Sequence, residues 1–178
     1  MSNMYLKTLL TPKMVIDAKS LDAHVSVEVV GAKIHEEIQK LFQGSLAIRE
    51  VDSGSDNACE QELNALSNPY YDIERFGVHF VASPRHADML MVTGAVTRNM
   101  QEALVRAYEA TPTPKIVVAV GDEAIYGGIF KGSYAVLDGV GKVIPVDFQI
   151  PGDPPSPYVI LSHLLNILGV IGSQKKNL

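Results

Sequence analysis

The stretch Asp88-Met-Leu-Met-Val-Thr93, followed by Gly94, gives the clearest indication of the fold. Its four consecutive apolar residues leave no polar face, which is the pattern of a strand buried on both sides. Residues 115–120 repeat this pattern further along the chain. Strands buried on both sides belong to parallel sheets covered by helices, so the two runs predict an α/β protein.

Helical and strand-like segments alternate on either side of these two runs. Apolar residues recur at helical spacing in residues 30–42 and 99–110, and Pro157 and Gly172 mark the ends of a last helix. The alternation predicts an open, mostly parallel sheet with helices on both faces, in one domain over residues 1–178 with an irregular N-terminal extension of about residues 1–29. The predicted strands are residues 45–52, 76–82, 88–93, 115–120 and 143–150, and the predicted helices are residues 30–42, 60–66, 99–110 and 157–171.

The composition excludes several classes of protein and site. The chain has 178 residues, a net charge of −5 and one cysteine. Without a basic stripe it is not expected to bind nucleic acid, and one cysteine cannot build an all-cysteine cluster or zinc site. Residues 1–10 lack the pattern of a secretory signal, and the apolar stretch 158–171 is shorter than the roughly 20 residues of a membrane-spanning helix. No direct membrane span is therefore predicted.

Acidic side chains follow three of the predicted strands. Asp56 comes after the first strand, Glu123 after the fourth and Asp153 after the fifth. The carboxyl ends of parallel strands meet at one edge of an open sheet, where such folds bind ligands. The three carboxylates are therefore expected to converge. Carboxylates brought together repel one another and have raised pKa values unless a cation neutralises them.

Several longer motifs resemble a known family when they are taken together and in order. The chain is similar to the small electron-transfer subunit of energy-converting (group 4-type) [NiFe] hydrogenases and to the homologous 20 kDa subunit of complex I. The resemblance implies a flavodoxin-like fold with a [4Fe–4S] cluster at the edge described above. The matching segments are residues 52–60, 68–77, 82–88, 92–97, 108–115, 120–134 and 150–155.

The resemblance places the four cluster ligands of the family at Asp56, Cys59, Glu123 and Asp153, where only Cys59 is a cysteine. The two residues between Asp56 and Cys59 match the hydrogenase branch, because the complex I branch has adjacent cysteines there. Iron–sulfur clusters are held by soft thiolates, whereas carboxylates suit hard cations such as Mg²⁺. No cofactor is therefore predicted, although the family carries a [4Fe–4S] cluster.

Three interpretations follow. In the first, the chain is a cluster-free structural or coupling subunit, docked on a large catalytic-subunit homologue and on membrane-arm subunits at the cytoplasmic side of a membrane. In the second, Asp56, Glu123 and Asp153, with or without Cys59, bind a divalent metal. In the third, a [4Fe–4S] cluster still forms with unusual ligands or a partner's cysteine, and the chain transfers electrons in a hydrogenase or NADH-quinone oxidoreductase.

Four further residues are candidates for partner contact through the resemblance: Glu60, Arg75, Arg85 and His86. In the family, the segments of the last three face the large subunit or support the cluster region. The simpler interpretation of Glu60 is a first-turn acid favoured by the helix dipole. For Arg75, Arg85 and His86 the simpler interpretation is a solvated loop with local salt bridges.

Overall fold

The computed structural model describes residues 27–176. The longer elements are connected by 3₁₀ turns of three or four residues, which are Ile73–Phe76, Pro84–His86, Gly128–Phe130 and Val140–Lys142. The strands are β1 (Leu46–Asp52), β2 (Val78–Phe80), β3 (Met89–Thr93), β4 (Ile116–Val120) and β5 (Phe148–Ile150). The α-helices are α1 (Val27–Phe42), α2 (Ala58–Ala65), α3 (Gln101–Ala110), α4 (Asp122–Tyr126) and α5 (Pro157–Lys176).

The strands form one sheet in the order β2-β1-β3-β4-β5, and every neighbouring pair is parallel. This is the strand order of flavodoxin-like folds, so the predicted α/β class is confirmed. Residues 1–26 lie outside the described residues, so the predicted irregular extension of about residues 1–29 stays a prediction, and α1 begins at Val27. The single domain over residues 1–178 stays a prediction.

Side chains along β3 show why both faces of the sheet are covered. Met89 and Met91 pack into one core with α1, α2 and α5, whereas Leu90 and Val92 pack into the other core with α3 and α4. All four side chains are fully buried. The unbroken apolar run thus serves two cores at once, as its sequence predicts.

The predicted boundaries fail mainly at the short elements. β5 begins at Phe148 instead of residue 143, since Pro145 lacks an N–H for the ladder and the preceding residues form the 3₁₀ turn Val140–Lys142. Phe76, predicted in a strand, ends a 3₁₀ turn instead. Gly172 lies within α5 and does not end it; it faces α1, where an added Cβ would lie 3.4 Å from Glu37 Oε2. Helix α4 was not predicted.

Across residues 27–176, no helix combines the length and the apolar character that crossing a membrane requires.

Candidate functional site

The loop after β1 turns tightly against the end of β3. Asp52 Oδ1 accepts hydrogen bonds from the backbone N–H groups of Gly54 and Ser55, at 2.7 and 2.9 Å. An added Cβ on Gly94 would lie 2.6 Å from the backbone nitrogen of Ser55, so this approach requires glycine. Asp56 Oδ1 then accepts from the N–H of Ala58 at 2.9 Å, at the start of α2. The next turn therefore carries Cys59 and Glu60 inward, and both are buried.

The loop after β4 contacts the loops on both sides of it. Gly121 has a φ of +89°, and an added Cβ there would lie 2.4 Å from Cys59 Sγ. Asp122 donates its N–H to Gly152 O at 2.9 Å and accepts the N–H of Gly152 at Oδ1, at 3.0 Å. The loops after β1, β4 and β5 are thus joined into one surface. We call it the carboxylate edge and define it by Asp56, Cys59, Glu60, Glu123 and Asp153.

Cys59 is 4% exposed, and its thiol is not an available nucleophile or ligand in this state. Burial, followed by the negative charges of Glu60, Glu123, Asp56 and Asp153, raises the pKa of Cys59 to about 12. The thiol therefore stays protonated near neutral pH, whereas metals and clusters bind the thiolate. Since all four acids act on this one sulfur, the predicted convergence of the loops is present in the structure.

Glu123 is 3% exposed and is the most perturbed carboxylate of the edge. Burial, followed by the negative charges of Asp56 and Asp153, raises the pKa of Glu123 to about 7, and a hydrogen bond from the backbone of Asp56 acts in the opposite direction. Asp56 and Asp153 themselves are exposed. The edge thus has a buried carboxyl poised near neutral pH behind two solvated carboxylates.

Three carboxylate oxygens of this edge are buried without a hydrogen-bond partner: both oxygens of Glu60 and Oε1 of Glu123. None of the four ion pairs among residues 27–173, the range whose side chains the structure describes, includes a carboxylate of the edge. In the same part of the chain, no group of three or more His, Cys, Asp or Glu side chains is arranged to hold a metal ion. A metal at Asp56, Glu123 and Asp153 therefore stays a prediction.

The donor set does not fit a [4Fe–4S] cluster. Three hard carboxylates and one protonated thiol stand where a cubane needs soft thiolates. The close contact between Cys59 Sγ and the backbone of Gly121 also directs the sulfur into the protein packing. These residues therefore do not provide the ligands of a cluster that could transfer electrons.

The three basic candidates lie away from the carboxylate edge. Arg75, Arg85 and His86 all precede strands β2 or β3, so they belong to the opposite, amino end of the sheet. A five-residue strand separates the two ends by about 16 Å. Arg75, Arg85 and His86 therefore lie away from Asp56, Glu123 and Asp153, and their role in the family's partner contact or cluster support stays a prediction.

The local surroundings of the basic residues differ. Arg75 binds Glu28 on α1 at 2.8 Å, and its guanidinium lies 4.5 Å from the ring centroid of Phe76. Arg85 and His86 are exposed and line a cavity of about 400 Å³ at the amino end of the sheet. Arg75 is thus engaged in a local ion pair, and partner contact by Arg75, Arg85, His86 and Glu60 stays a prediction.

An exposed apolar surface beside the carboxylate edge was not predicted. Tyr126, at the end of α4, is 44% exposed, and Ile129 and Phe130 in the next turn are 75% and 38% exposed. This turn packs on Glu123, since an added Cβ on Gly128 would lie 2.9 Å from Glu123 Cγ. The signal in the sequence is Gly127-Gly128-Ile129-Phe130, where bulky side chains follow glycines at which helix α4 ends.

Comparison with known proteins decides the family. A family model described as NADH ubiquinone oxidoreductase, 20 Kd subunit, matches residues 57–167. The chain belongs to this family. The matched range includes Cys59, Glu123 and Asp153 and begins directly after Asp56.

Two individual relatives are named as subunits of a formate hydrogenlyase and of a membrane-bound hydrogenase. Formate hydrogenlyase subunit 7 of Escherichia coli is 39% identical over 93% of this chain and 64% of its own length. A probable membrane-bound hydrogenase subunit of Pyrococcus furiosus is 49% identical over 62% of this chain and 66% of its own length. The chain thus spans about two thirds of these two relatives.

A solved structure has the same fold. It is a chain of the membrane-bound sulfane sulfur reductase, an archaeal respiratory membrane complex, with a TM-score of 0.66 and 31% identity. The match covers 75% of this chain and 74% of that chain.

Proposed function

We propose that this protein is a subunit of a membrane-associated hydrogenase-related or complex I-like oxidoreductase complex, in which it has a structural or coupling role without a [4Fe–4S] cluster of its own. It docks on a large catalytic-subunit homologue and stays peripheral to the membrane, at the cytoplasmic side, through partner subunits. The observation that carries this proposal is the composition of the carboxylate edge: one protonated thiol and three carboxylates at the positions that the family uses for cluster ligands.

The family membership supports the assembly of this chain with other subunits. The side chains at the carboxylate edge support the loss of electron transfer through a cluster. The loops after β1, β4 and β5 keep their tight backbone contacts although the side chains that would hold a cluster have changed. A packed edge without a redox centre can transmit a change of position between neighbouring subunits, but it cannot accept an electron. Coupling through this subunit would therefore be mechanical or electrostatic.

The test is the metal content of the complex, purified anaerobically from its native membrane. We expect no iron or acid-labile sulfide attributable to this chain. The matched variant carries Asp56→Cys, Glu123→Cys and Asp153→Cys, and it is the form expected to gain a cluster. About four iron and four sulfide per unmodified chain, the cubane stoichiometry, would restore the electron-transfer alternative and refute the proposal.

A divalent-metal module is the second candidate, favoured by the unpartnered oxygen of buried Glu123 beside Asp56 and Asp153. A cation that binds only the folded chain raises its melting temperature. A rise with Mg²⁺ or Mn²⁺ that Asp56→Asn and Asp153→Asn abolish would support this candidate. No rise with either ion would remove it.

A further inference from the structure

A cavity of about 400 Å³ opens at the amino end of the sheet, which is the end opposite the carboxylate edge. Its wall is formed by the turn Pro84–His86, by the end of α1 at Phe42 and by residues 112–114 in the loop before β4. Pockets that bind small molecules have volumes of about 300–1,000 Å³. The cavity is therefore large enough to hold a small ligand.

Two basic side chains line this cavity without a partner in the protein. Arg85 and His86 are both exposed, and among residues 27–173 neither the guanidinium nor the imidazole makes an ion pair or a hydrogen bond. The guanidinium of Arg75, by contrast, is paired with Glu28. A guanidinium carries five N–H donors, and an imidazole carries at least one. The cavity thus has donors that the fold itself does not use.

The backbone that carries these two side chains is already ordered. Ser83 Oγ accepts the N–H of Arg85 at 3.3 Å, and Ser83 O accepts the N–H of His86 at 3.1 Å. Pro84 occupies the first position of the turn, where its ring fixes φ. The backbone N–H groups are therefore engaged, so a ligand would bind to the side chains. Binding would have to order only those side chains, which lowers its entropic cost.

We propose that this cavity binds the phosphate group of an organic phosphate through Arg85 and His86. A guanidinium binds two oxygens of an oxyanion at once. In a carboxylate those are the only oxygens, whereas a phosphate group has a further oxygen for the imidazole of His86. The carbon part of the ligand would lie against the apolar part of the wall, which consists mainly of Phe42, Pro112 and Pro114.

Asp88 also lines the cavity and limits the charge of the ligand. Its Oδ2 accepts the N–H of Ala47 at 2.9 Å, which holds this carboxylate at the start of β1. Because an acid repels further negative charge, the cavity suits one phosphate group and disfavours a polyphosphate chain. A single phosphate group on a carbon body occurs both in soluble phosphate esters and in the headgroups of anionic phospholipids. The site does not depend on the proposed function, since it lies away from the cluster positions.

The first test is isothermal titration calorimetry of the full-length chain with phenyl phosphate, inorganic phosphate and benzoate. We expect phenyl phosphate to bind more tightly than inorganic phosphate, because its ring adds apolar contact. It should also bind more tightly than benzoate, because a carboxylate leaves the imidazole of His86 unused. No binding of phenyl phosphate, or equal binding of benzoate, would overturn the proposal.

Variants of the chain show whether phenyl phosphate binds in this cavity. Arg85→Gln should weaken its binding about tenfold, the effect of losing a charge-assisted contact. Arg85→Lys keeps the charge without the fork and should weaken binding about threefold. The matched control is Arg98→Gln: Arg98 is exposed and follows β3, at the other end of the sheet, so affinity should change less than about twofold. Equal affinities of Arg85→Gln and Arg98→Gln would refute the site.

Vesicles distinguish the two sources of the phosphate group. If the full-length chain sediments with phosphatidylglycerol vesicles but not with phosphatidylcholine vesicles, and Arg85→Gln abolishes this, the ligand is an anionic phospholipid. If the chain binds phenyl phosphate and glycerol 3-phosphate in solution but neither kind of vesicle, the ligand is a soluble phosphate ester. Both results support the site, and binding to vesicles that Arg85→Gln leaves unchanged contradicts it.

The last test asks whether the cavity is open in the assembled complex. Phenylglyoxal modifies accessible arginines, and mass spectrometry locates the modified peptide. In the delipidated complex Arg85 should be modified, and phenyl phosphate should protect it. Resistance of Arg85 to phenylglyoxal before any ligand is added would mean that another subunit covers the cavity, and the proposal would fail. The metal content of the complex, which tests the proposed function, is unaffected by this result.

Discussion

Glu123→Gln tests whether the carboxylate edge is a source of instability. Glu123 is 3% exposed, and its pKa rises from the usual 4.5 to about 7 through burial and the charges of Asp56 and Asp153. An acid with a raised pKa in the folded state holds its proton more tightly when folded. The free energy of unfolding therefore falls as pH rises through the window between about 4.5 and 7.

The size of the effect follows from the pKa values. A change from 4.5 to about 7 corresponds to about 3 kcal/mol at 1.36 kcal/mol per pKa unit. Glutamine has nearly the shape of the protonated acid and cannot ionise. Glu123→Gln should therefore match the unmodified chain near pH 4 and exceed its free energy of unfolding by about 3 kcal/mol near pH 8.

Urea denaturation of the full-length chain at several pH values measures this difference. The matched control is Glu109→Gln, an exposed acid on α3, which should change the free energy of unfolding by less than about 0.5 kcal/mol at every pH. A difference between Glu123→Gln and the unmodified chain that stays constant from about pH 4 to 8 would refute the reasoning. It would mean that Glu123 is solvated in the folded chain or that a cation already neutralises it.

Three further changes test the remaining contacts of the edge. Asp153→Asn should lower the pKa of Glu123, because the substitution removes a negative charge that raises this pKa. The ¹³C chemical shift of the Glu123 carboxyl group, followed as a function of pH, measures the change. An unchanged pKa would contradict the convergence of the loops. Gly121→Ala should lower the free energy of unfolding by about 1–3 kcal/mol, since the φ of Gly121 is +89° and the new Cβ would meet Cys59 Sγ. Adding Cys59→Ala should recover part of this loss in urea denaturation. If the effects of the two changes are fully additive, the contact between these residues is contradicted. Iodoacetamide should not modify Cys59 in the folded chain at neutral pH but should modify it in urea, because the residue is 4% exposed and its pKa is about 12. Mass spectrometry measures the extent of labelling. Fast labelling of the folded chain would refute this prediction.

The strands whose residues are apolar throughout could be predicted closely from the sequence. Residues 88–93 and 115–120 differ from β3 and β4 by one residue at the start, because a strand buried on both sides leaves no other pattern. The edge strands β2 and β5 were predicted too long, since only three residues of each pair with a neighbour. Helix α4 has five residues, which is too short for a helical period to be visible.

The location of the site could be predicted from the sequence, but the burial of its acidic side chains could not. Parallel topology alone brings Asp56, Glu123 and Asp153 to one edge, and it equally places Arg85 and His86, which precede a strand, at the other edge. The burial of Glu60 and Glu123 could not be predicted, because an acid in the first turn of a helix is ordinarily solvated. What buries them is the packing of neighbouring loops, such as the turn with Gly128 against Glu123.

The retained cysteine has a simpler role than a surviving ligand. In this chain the sulfur of Cys59 fills the space that the missing side chain of Gly121 leaves, and its thiol is kept protonated by burial and by four neighbouring acids. A small apolar side chain is what this position requires for packing, and a protonated cysteine behaves as one. Asp56 and Asp153 lie at the surface of the loops, where carboxylates are tolerated, and Asp56 also accepts a hydrogen bond from Ala58 N–H at the start of α2. Position in the packing therefore accounts for the retained cysteine and for the exposed Asp56 and Asp153, whereas Glu123 is a buried acid whose pKa is raised by that burial.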